Sequence, residues 1–220
     1  GLALVNQKDG EISVIEINSE TDFVAKNKDF ISFCKEISEI AFVQKGDIDK
    51  IKSTKMKNNM SVTDNLIDLI AKIGEKITLR RAKFFDKKEG KNFSYVHSAL
   101  EKNIGKIISI VKLNNNEQAL NIGNKLAMHI AASSPLSIDK NDLNQNIVDK
   151  ELEIIKAELL NSGKKPEMIE KISQGKLNKF ISDNTLLNQV WIMDSKMKVS
   201  DITKDCKVLD FIRYKVGEGI

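Results

Sequence analysis

The chain opens with a β-branched run, "EISVIEI" at residues 11–17, preceded by Asp9-Gly10. Aspartate-glycine is a hairpin turn signal, and the run reads as a strand. The pattern then changes period. Phe30, Phe33, Cys34, Ile37 and Ala41 fall on one stripe, which predicts a helix over residues 22–45 ended by Gly46. Residues 47–60 are rich in lysine and asparagine and read as loose. Ser61 with Asp64 three positions on is a capping-box arrangement that starts a second helix. Its buried face is Val62, Leu66, Leu69, Ile70 and Ile73, and Gly74 stops it. Three strands follow, 76–85 "KITLRRAKFF", 92–99 "NFSYVHSA" and 104–113 "IGKIISIVKL", then a helix over 116–133 that ends before Pro135.

Residues 139–187 differ in character. "NIVDKELEIIKAELL" places Val148, Leu152, Ile155 and Leu159 on one stripe. "NSGKKP" is a tight break, and "EMIEKISQGKLNKFI" resumes as a helix. Two amphipathic helices joined by so few residues predict an antiparallel helical hairpin. A short helix near 197–204 and a strand at 207–216 close the pattern. The expected class is α+β: two small antiparallel sheets with packed helices, plus an inserted helical (coiled-coil) hairpin. The expected division is 1–88 for a first core subdomain, 89–137 with 188–220 for a second, and 138–187 for the hairpin.

Composition narrows the function. Of 220 residues, 41% are apolar and 30% charged, an ordinary globular balance. The excess of four positive charges is small and spread out, and Arg80, Arg81 and Arg213 are the only arginines. A nucleic-acid surface favours arginine, whose planar fork grips phosphates. An RNA- or ribosome-binding α+β module is the alternative reading, and it predicts salt-dependent RNA binding. Cys34 and Cys206 lack metal or redox spacing and read as buried thiols in a reducing compartment. There is no phosphate-loop motif, no dinucleotide fingerprint and no nucleophile elbow. His97 and His129 form no metal-ligand pair. Neither an enzyme, nor a cofactor, nor direct nucleotide binding is expected, and no run reaches the length of a membrane span. The first residue is Gly1 rather than methionine, which leads us to expect sequence upstream.

Four stretches, in order, carry a resemblance: "INSETDFVAKN" from 17, "LIAKIGEKITLRR" from 69, "SYVHSA" from 94 and "LAMHIAASSP" from 126, with "FIRYKVGEG" near the close. Together the chain resembles elongation factor Ts, the nucleotide-exchange factor for the GTPase elongation factor Tu. Ser19 stands where that family usually has cysteine. The family's small N-terminal helical module, which also touches the GTPase, lies outside this sequence. The resemblance implies cytoplasmic work in a bacterium or an organelle of bacterial origin.

It also gives a second reading to several residues. From the residues alone, Thr21 is an N-cap, Asp22 complements the helix dipole and Phe23 staples the helix to its core. The resemblance instead implies that Thr21, Asp22, Phe23 and Val24 contact elongation factor Tu near its magnesium ion, with Phe23 as a wedge between two helices. Ile73 and Gly74 are a buried helix end and a left-handed cap. The resemblance implies that this corner also approaches the partner's phosphate loop. His97 is a satisfied strand residue or, by resemblance, a partner contact. His129 reads as close helix packing, and Arg80 and Arg81 as braces of the sheet. "VGEGI" reads as a turn without chemistry, and the lysine run at 50–57 as solvated surface. The hairpin is implied to make homodimer contacts.

Overall fold

The computed structural model describes residues 1–220. The chain divides into two units, residues 1–131 with 209–220, and residues 132–208. In the first unit, strands β1 (Leu2–Lys8) and β2 (Glu11–Asn18) form a hairpin. Asp9 and Gly10 turn it with φ of 52° and 84°, the left-handed pair that a two-residue hairpin loop requires. Strand β3 (Thr78–Phe85) pairs on the far side of β2, β4 (Gly90–His97) opens a second sheet, and β5 (Ile104–Gly105) pairs with β1. The four-stranded order is β3-β2-β1-β5, all antiparallel. Strands β6 (Ile107–Asn114) and β7 (Val208–Lys215) complete the second sheet in the order β4-β6-β7. The predicted strand at 104–113 is thus broken at Lys106 and serves two sheets.

Strand β2 is buried at every position from Ile12 to Ile17 because both of its faces are covered. Ile15 and Ile17 pack with Leu2 and Leu4 against helices. Ile12 and Val14 pack with Ala3 and Val5 against Ile108, Ile110 and Tyr214 of the second sheet. That is why "EISVIEI" reads as a near-continuous apolar run rather than an alternation. The helical layer is α1 (Lys28–Val43), α2 (Ile48–Ser53) and α3 (Val62–Ile73). On the other side of the second sheet lies α4 (Glu117–Ser133), where the Ser109 hydroxyl donates to the Ala127 carbonyl. A Cβ at Gly123 of α4 would collide with the Phe93 ring, so only glycine allows this approach.

Two expectations need correction. The first helix starts at Lys28, not at 22. Its N-cap is Asn27, whose side chain accepts from the Asp29 and Phe30 amides. Residues 24–26 form only a short 3-10 turn. Thr21 is therefore not a cap, and Phe23 is no staple. The segment 47–60 is not loose: Asp47 caps α2, and Ile51 is fully buried in the helical core.

The second unit holds α5 (Gln145–Asn161), α6 (Pro166–Asn184) and α7 (Val199–Ile202). Ile155 and Leu159 pack with Ile169 and Leu177, and Lys156–Glu170 and Lys176–Glu158 ion pairs join the two long helices. Gly163 takes a positive φ of 72° in the link, and Pro166 sits in the first turn of α6. At the base, Ser137 bridges to Thr185 and the Leu136 amide donates to Asn184. The two ends of the hairpin therefore meet.

One carboxylate interrupts the apolar run of β2. Glu16 is fully buried. Arg80 Nη1 donates to one oxygen at 2.9 Å, Arg81 Nε to the other at 2.6 Å, and the Gly217 amide to the first at 3.0 Å. Consecutive strand residues normally point to opposite faces. Here the pairing shifts between Glu16 and Ile17, so that Glu16 faces Arg81 while Ile17 faces Leu79. Arg80 is the extra residue of this bulge, which lets both guanidinia turn to one carboxylate. The expected brace is real, but the C-terminal turn has chemistry after all. Glu218 accepts from Arg80 through its carbonyl and pairs with Arg213 through its carboxylate.

Burial alone would push the Glu16 carboxyl up. The Gly217 amide and the two guanidinia outweigh it and hold the group below the usual carboxylate range. A lowered folded-state value means that the stabilisation is complete above the unfolded-state pKa and is lost as pH falls through the folded one. Glu16→Gln is expected to lower the unfolding free energy by about 3 kcal/mol, because it leaves partly buried guanidinia without their charge partner. Denaturant titrations at several pH values check this: the wild-type and variant midpoints should be widely separated at neutral pH and converge on acidification.

Candidate functional site

Past Asn18, strand β2 leaves the sheet and the chain crosses the end of the first unit as residues 19–24. Three consecutive residues of this turn are tied to other parts of the fold. Glu20 accepts the Lys76 amide at 3.1 Å. Thr21 donates its amide at 2.9 Å and its hydroxyl at 2.6 Å to the two oxygens of Glu75. Asp22 accepts from Lys106 Nζ at 2.6 Å. The Lys106 hydrogen bond and charge hold the Asp22 carboxyl below its usual range. Lys106 also donates to the Gly1 carbonyl, which links the turn to the start of β1.

Phe23 comes next, and the residue is 85% exposed. Val24 and Ala25 point inward at 4% and 3% and join the helical core. The alternation is abrupt: the aromatic residue stands out while its smaller neighbours anchor the turn. A lone exposed aliphatic side chain is ordinary, but an almost fully exposed phenylalanine is not what burial preferences lead to.

The second sequence-singled corner lies beside the first. Ile73 closes α3, half-buried against the helical core. Gly74 caps the helix in the left-handed conformation at φ 79°, with its amide donating to Ile70. Nothing lies within 4 Å of where its Cβ would be, so glycine is required by the backbone conformation and not by crowding within this chain. The turn it makes sends Glu75 and Lys76 back to Thr21 and Glu20. The Thr21–Val24 and Ile73–Gly74 stretches are thus parts of one surface.

His97 ends β4 with an exposed side chain. Its ring lies beside Tyr95, centroids 6.1 Å apart, with the Tyr95 hydroxyl 3.4 Å from Nδ1. The residues that follow it, Ser98 to Leu100, face Asp22, Ala25 and Lys106 across a cavity of about 250 Å³. The third stretch therefore reaches the same end of the unit through its loop. His129 is fully buried in α4 and takes no part in this surface. Glu75 and Lys106, which position the turn, were not apparent from the sequence. The one signal for Lys106 was a charge interrupting the apolar run "IGKIISIV". Glu75 gave none beyond its place after a helix-stopping glycine.

No group of three histidine, cysteine or acidic side chains in the chain could hold a metal ion, and no helix is long and apolar enough to cross a membrane. The surface offers an exposed ring, polar side chains already engaged with each other, and a bare backbone corner. Those are features that can dock against another macromolecule.

Comparison with known proteins agrees with this character. A family profile described as "Elongation factor TS" matches residues 20–218. The elongation factor Ts of Rickettsia felis is 37% identical over 219 residues, covering 94% of this chain and 71% of that protein. Its counterpart in Gluconobacter oxydans is 34% identical, covering 100% and 74%, and that of Rickettsia massiliae 36%, covering 100% and 80%. The matched span includes residues 20–24 of the exposed turn, the Gly74 corner and the glutamate that closes on Arg213. The chain belongs to the elongation factor Ts family and is, by that membership, a translation elongation factor.

Proposed function

We propose that the chain binds elongation factor Tu in its GDP form, disturbs the GTPase's magnesium and phosphate site, and so promotes GDP release. The observation that carries this reading is Phe23: an 85% exposed residue on a turn whose preceding three residues are all fastened. A rigid apolar projection can be driven into a partner without first losing conformational freedom of its own. Thr21, Asp22, Phe23 and Val24 form the element that acts near magnesium. Ile73 and Gly74 form the element on the phosphate-loop side, where an uncovered backbone permits close approach. His97 is a further contact. The compartment is that of the partner, the cytoplasm of a bacterium or an organelle of bacterial origin.

The mechanism is differential binding. Whatever the factor does to weaken nucleotide binding, nucleotide must do equally to factor binding. Nucleotide entry therefore expels the factor, and the cycle turns over without the factor binding nucleotide itself. Accelerating GDP release by about 10⁴-fold needs about 5.5 kcal/mol of differential stabilisation. Burying one phenylalanine supplies roughly 1.5–3 kcal/mol. The remainder comes from the Gly74 corner and the wider surface.

Release of a fluorescent GDP from elongation factor Tu, with and without this chain, tests the reading. Wild-type chain should accelerate release. Phe23→Ala should slow the stimulated rate by roughly 10- to 100-fold, with thermal stability unchanged because the ring contributes nothing to the core. Equal rates for the two proteins would sink the wedge.

The α5–α6 hairpin is assigned to homodimer contacts. Ile147, Ile154, Leu160 and Met168 are exposed on it, and Ile147 and Ile154 are seven residues apart, two turns along one helix face. Sedimentation equilibrium should give a dimer mass for the wild type and a monomer mass for Ile147→Glu/Ile154→Glu. A wild-type monomer at micromolar concentration would overturn the assignment.

A further inference from the structure

We infer that Glu75 is a positioning residue for nucleotide exchange: its carboxylate clamps Thr21 and thereby aims Phe23. The inference rests on the exchange-factor reading above. Residues 19–23 belong to no strand or helix, so the sheet and helix ladders do not hold them. What holds them is a short set of side-chain bonds. Glu75 supplies two of these, one oxygen to the Thr21 amide and the other to its hydroxyl. Such a bidentate grip fixes a residue in orientation as well as position, as a single bond does not. Glu20 returns the arrangement by accepting the Lys76 amide, so backbone and side chain alternate across the gap. Ser19 Oγ closes the loop from within by donating to the Thr21 carbonyl at 3.0 Å.

The placement of Glu75 is itself determined. Gly74 turns the chain out of α3 at positive φ, and residue 75 is the first to leave that turn, before β3 begins at Thr78. The clamp therefore joins the two docking elements mechanically. A shift of the Gly74 corner pulls on Thr21, and Phe23 is two residues further along. Asp22, between them, is steadied from the other side by Lys106. These bonds are exposed to solvent, so their loss has little effect on global stability. Their loss does release the turn, and an unfastened ring must be ordered again each time it enters the partner.

Three variants and two measurements test this. Amide hydrogen exchange on the free, full chain reads the clamp without any partner. The Thr21 amide should be protected in the wild type and exchange at least 10-fold faster in Glu75→Ala, while the Val14 and Ile15 amides of β2, flanked by strands on both sides, keep their protection. Titrating elongation factor Tu·GDP with each variant then separates maximal release rate from half-saturating concentration. Glu75→Ala should lower the maximal rate about 10-fold, and Glu75→Gln, which keeps one acceptor oxygen, should fall between. In a Phe23→Ala background, Glu75→Ala should have no further effect, because it acts through the ring. Additive losses, or a change confined to the half-saturating concentration, would mean that Glu75 touches the partner directly and would overturn the inference. An unprotected Thr21 amide in the wild type would overturn it too. If Phe23→Ala exchanges like wild type, the exchange reading fails, and Thr21 protection still decides whether the clamp exists.

Discussion

A buried negative charge organises the first unit. Glu16 lies inside a sheet covered on both faces, where an unpaired carboxylate would cost several kcal/mol. That cost is offset by gathering three donors from two distant places in the chain, and the gathering imposes geometry. Strand β3 must bulge so that Arg80 and Arg81 both face inward. The C-terminal turn must fold back so that Gly217 can donate. Arg81 lies over the Tyr214 ring at 4.2 Å, which ties β7 of the second sheet to the same point. One charge thus sets the register of one sheet and holds strands of both.

The exposed turn begins at Ser19, three residues beyond that anchor. Strand β2 is immobilised at Glu16 and Ile17, and the chain then leaves the sheet toward Phe23. Rigidity is passed outward in steps, from a buried ionic cluster to a strand end and then to a turn held by Glu75 and Lys106. Only the last side chain is left unfastened. This gradient explains how a segment without regular secondary structure can present an aromatic ring in a defined direction.

Much of this was readable beforehand, and the failures share a cause. Ser61 with Asp64 and the left-handed Gly74 were identified correctly because capping depends on bonds within a few residues. The strands from β2 onward were found because their apolar positions repeat locally, whereas β1 (Leu2–Lys8) went unread although Asp9-Gly10 marked the turn of its hairpin. The start of α1 was misplaced because Thr21 and Asn27 are both good capping residues. What separates them is Glu75, 54 positions from Thr21 along the chain. The helix α2 was missed because six residues carry too little periodicity, and its anchor is a single burial, Ile51. Glu16 passed unnoticed inside "EISVIEI" because a glutamate in a strand is usually solvated. Its donors come from residues 80, 81 and 217. Thr21–Val24, Ile73, Gly74 and His97 were singled out as candidate contacts only through resemblance; local pattern alone favoured burying Phe23 in its own core.

The bond from Gly217 to Glu16 spans 201 positions, and it bears on the order of events while the chain is being made. The β1–β2 hairpin can close as soon as it emerges from the ribosome, since its contacts are local. The donors on β3 follow within the next seventy residues. The third donor cannot arrive until residue 217 has been synthesised and has cleared the exit tunnel. Until then the carboxylate lacks one of its hydrogen bonds, and the second sheet lacks β7 at its edge. A nascent chain therefore carries an unfinished core throughout the synthesis of the 201 positions that separate Glu16 from Gly217, and closes it only when the latter arrives.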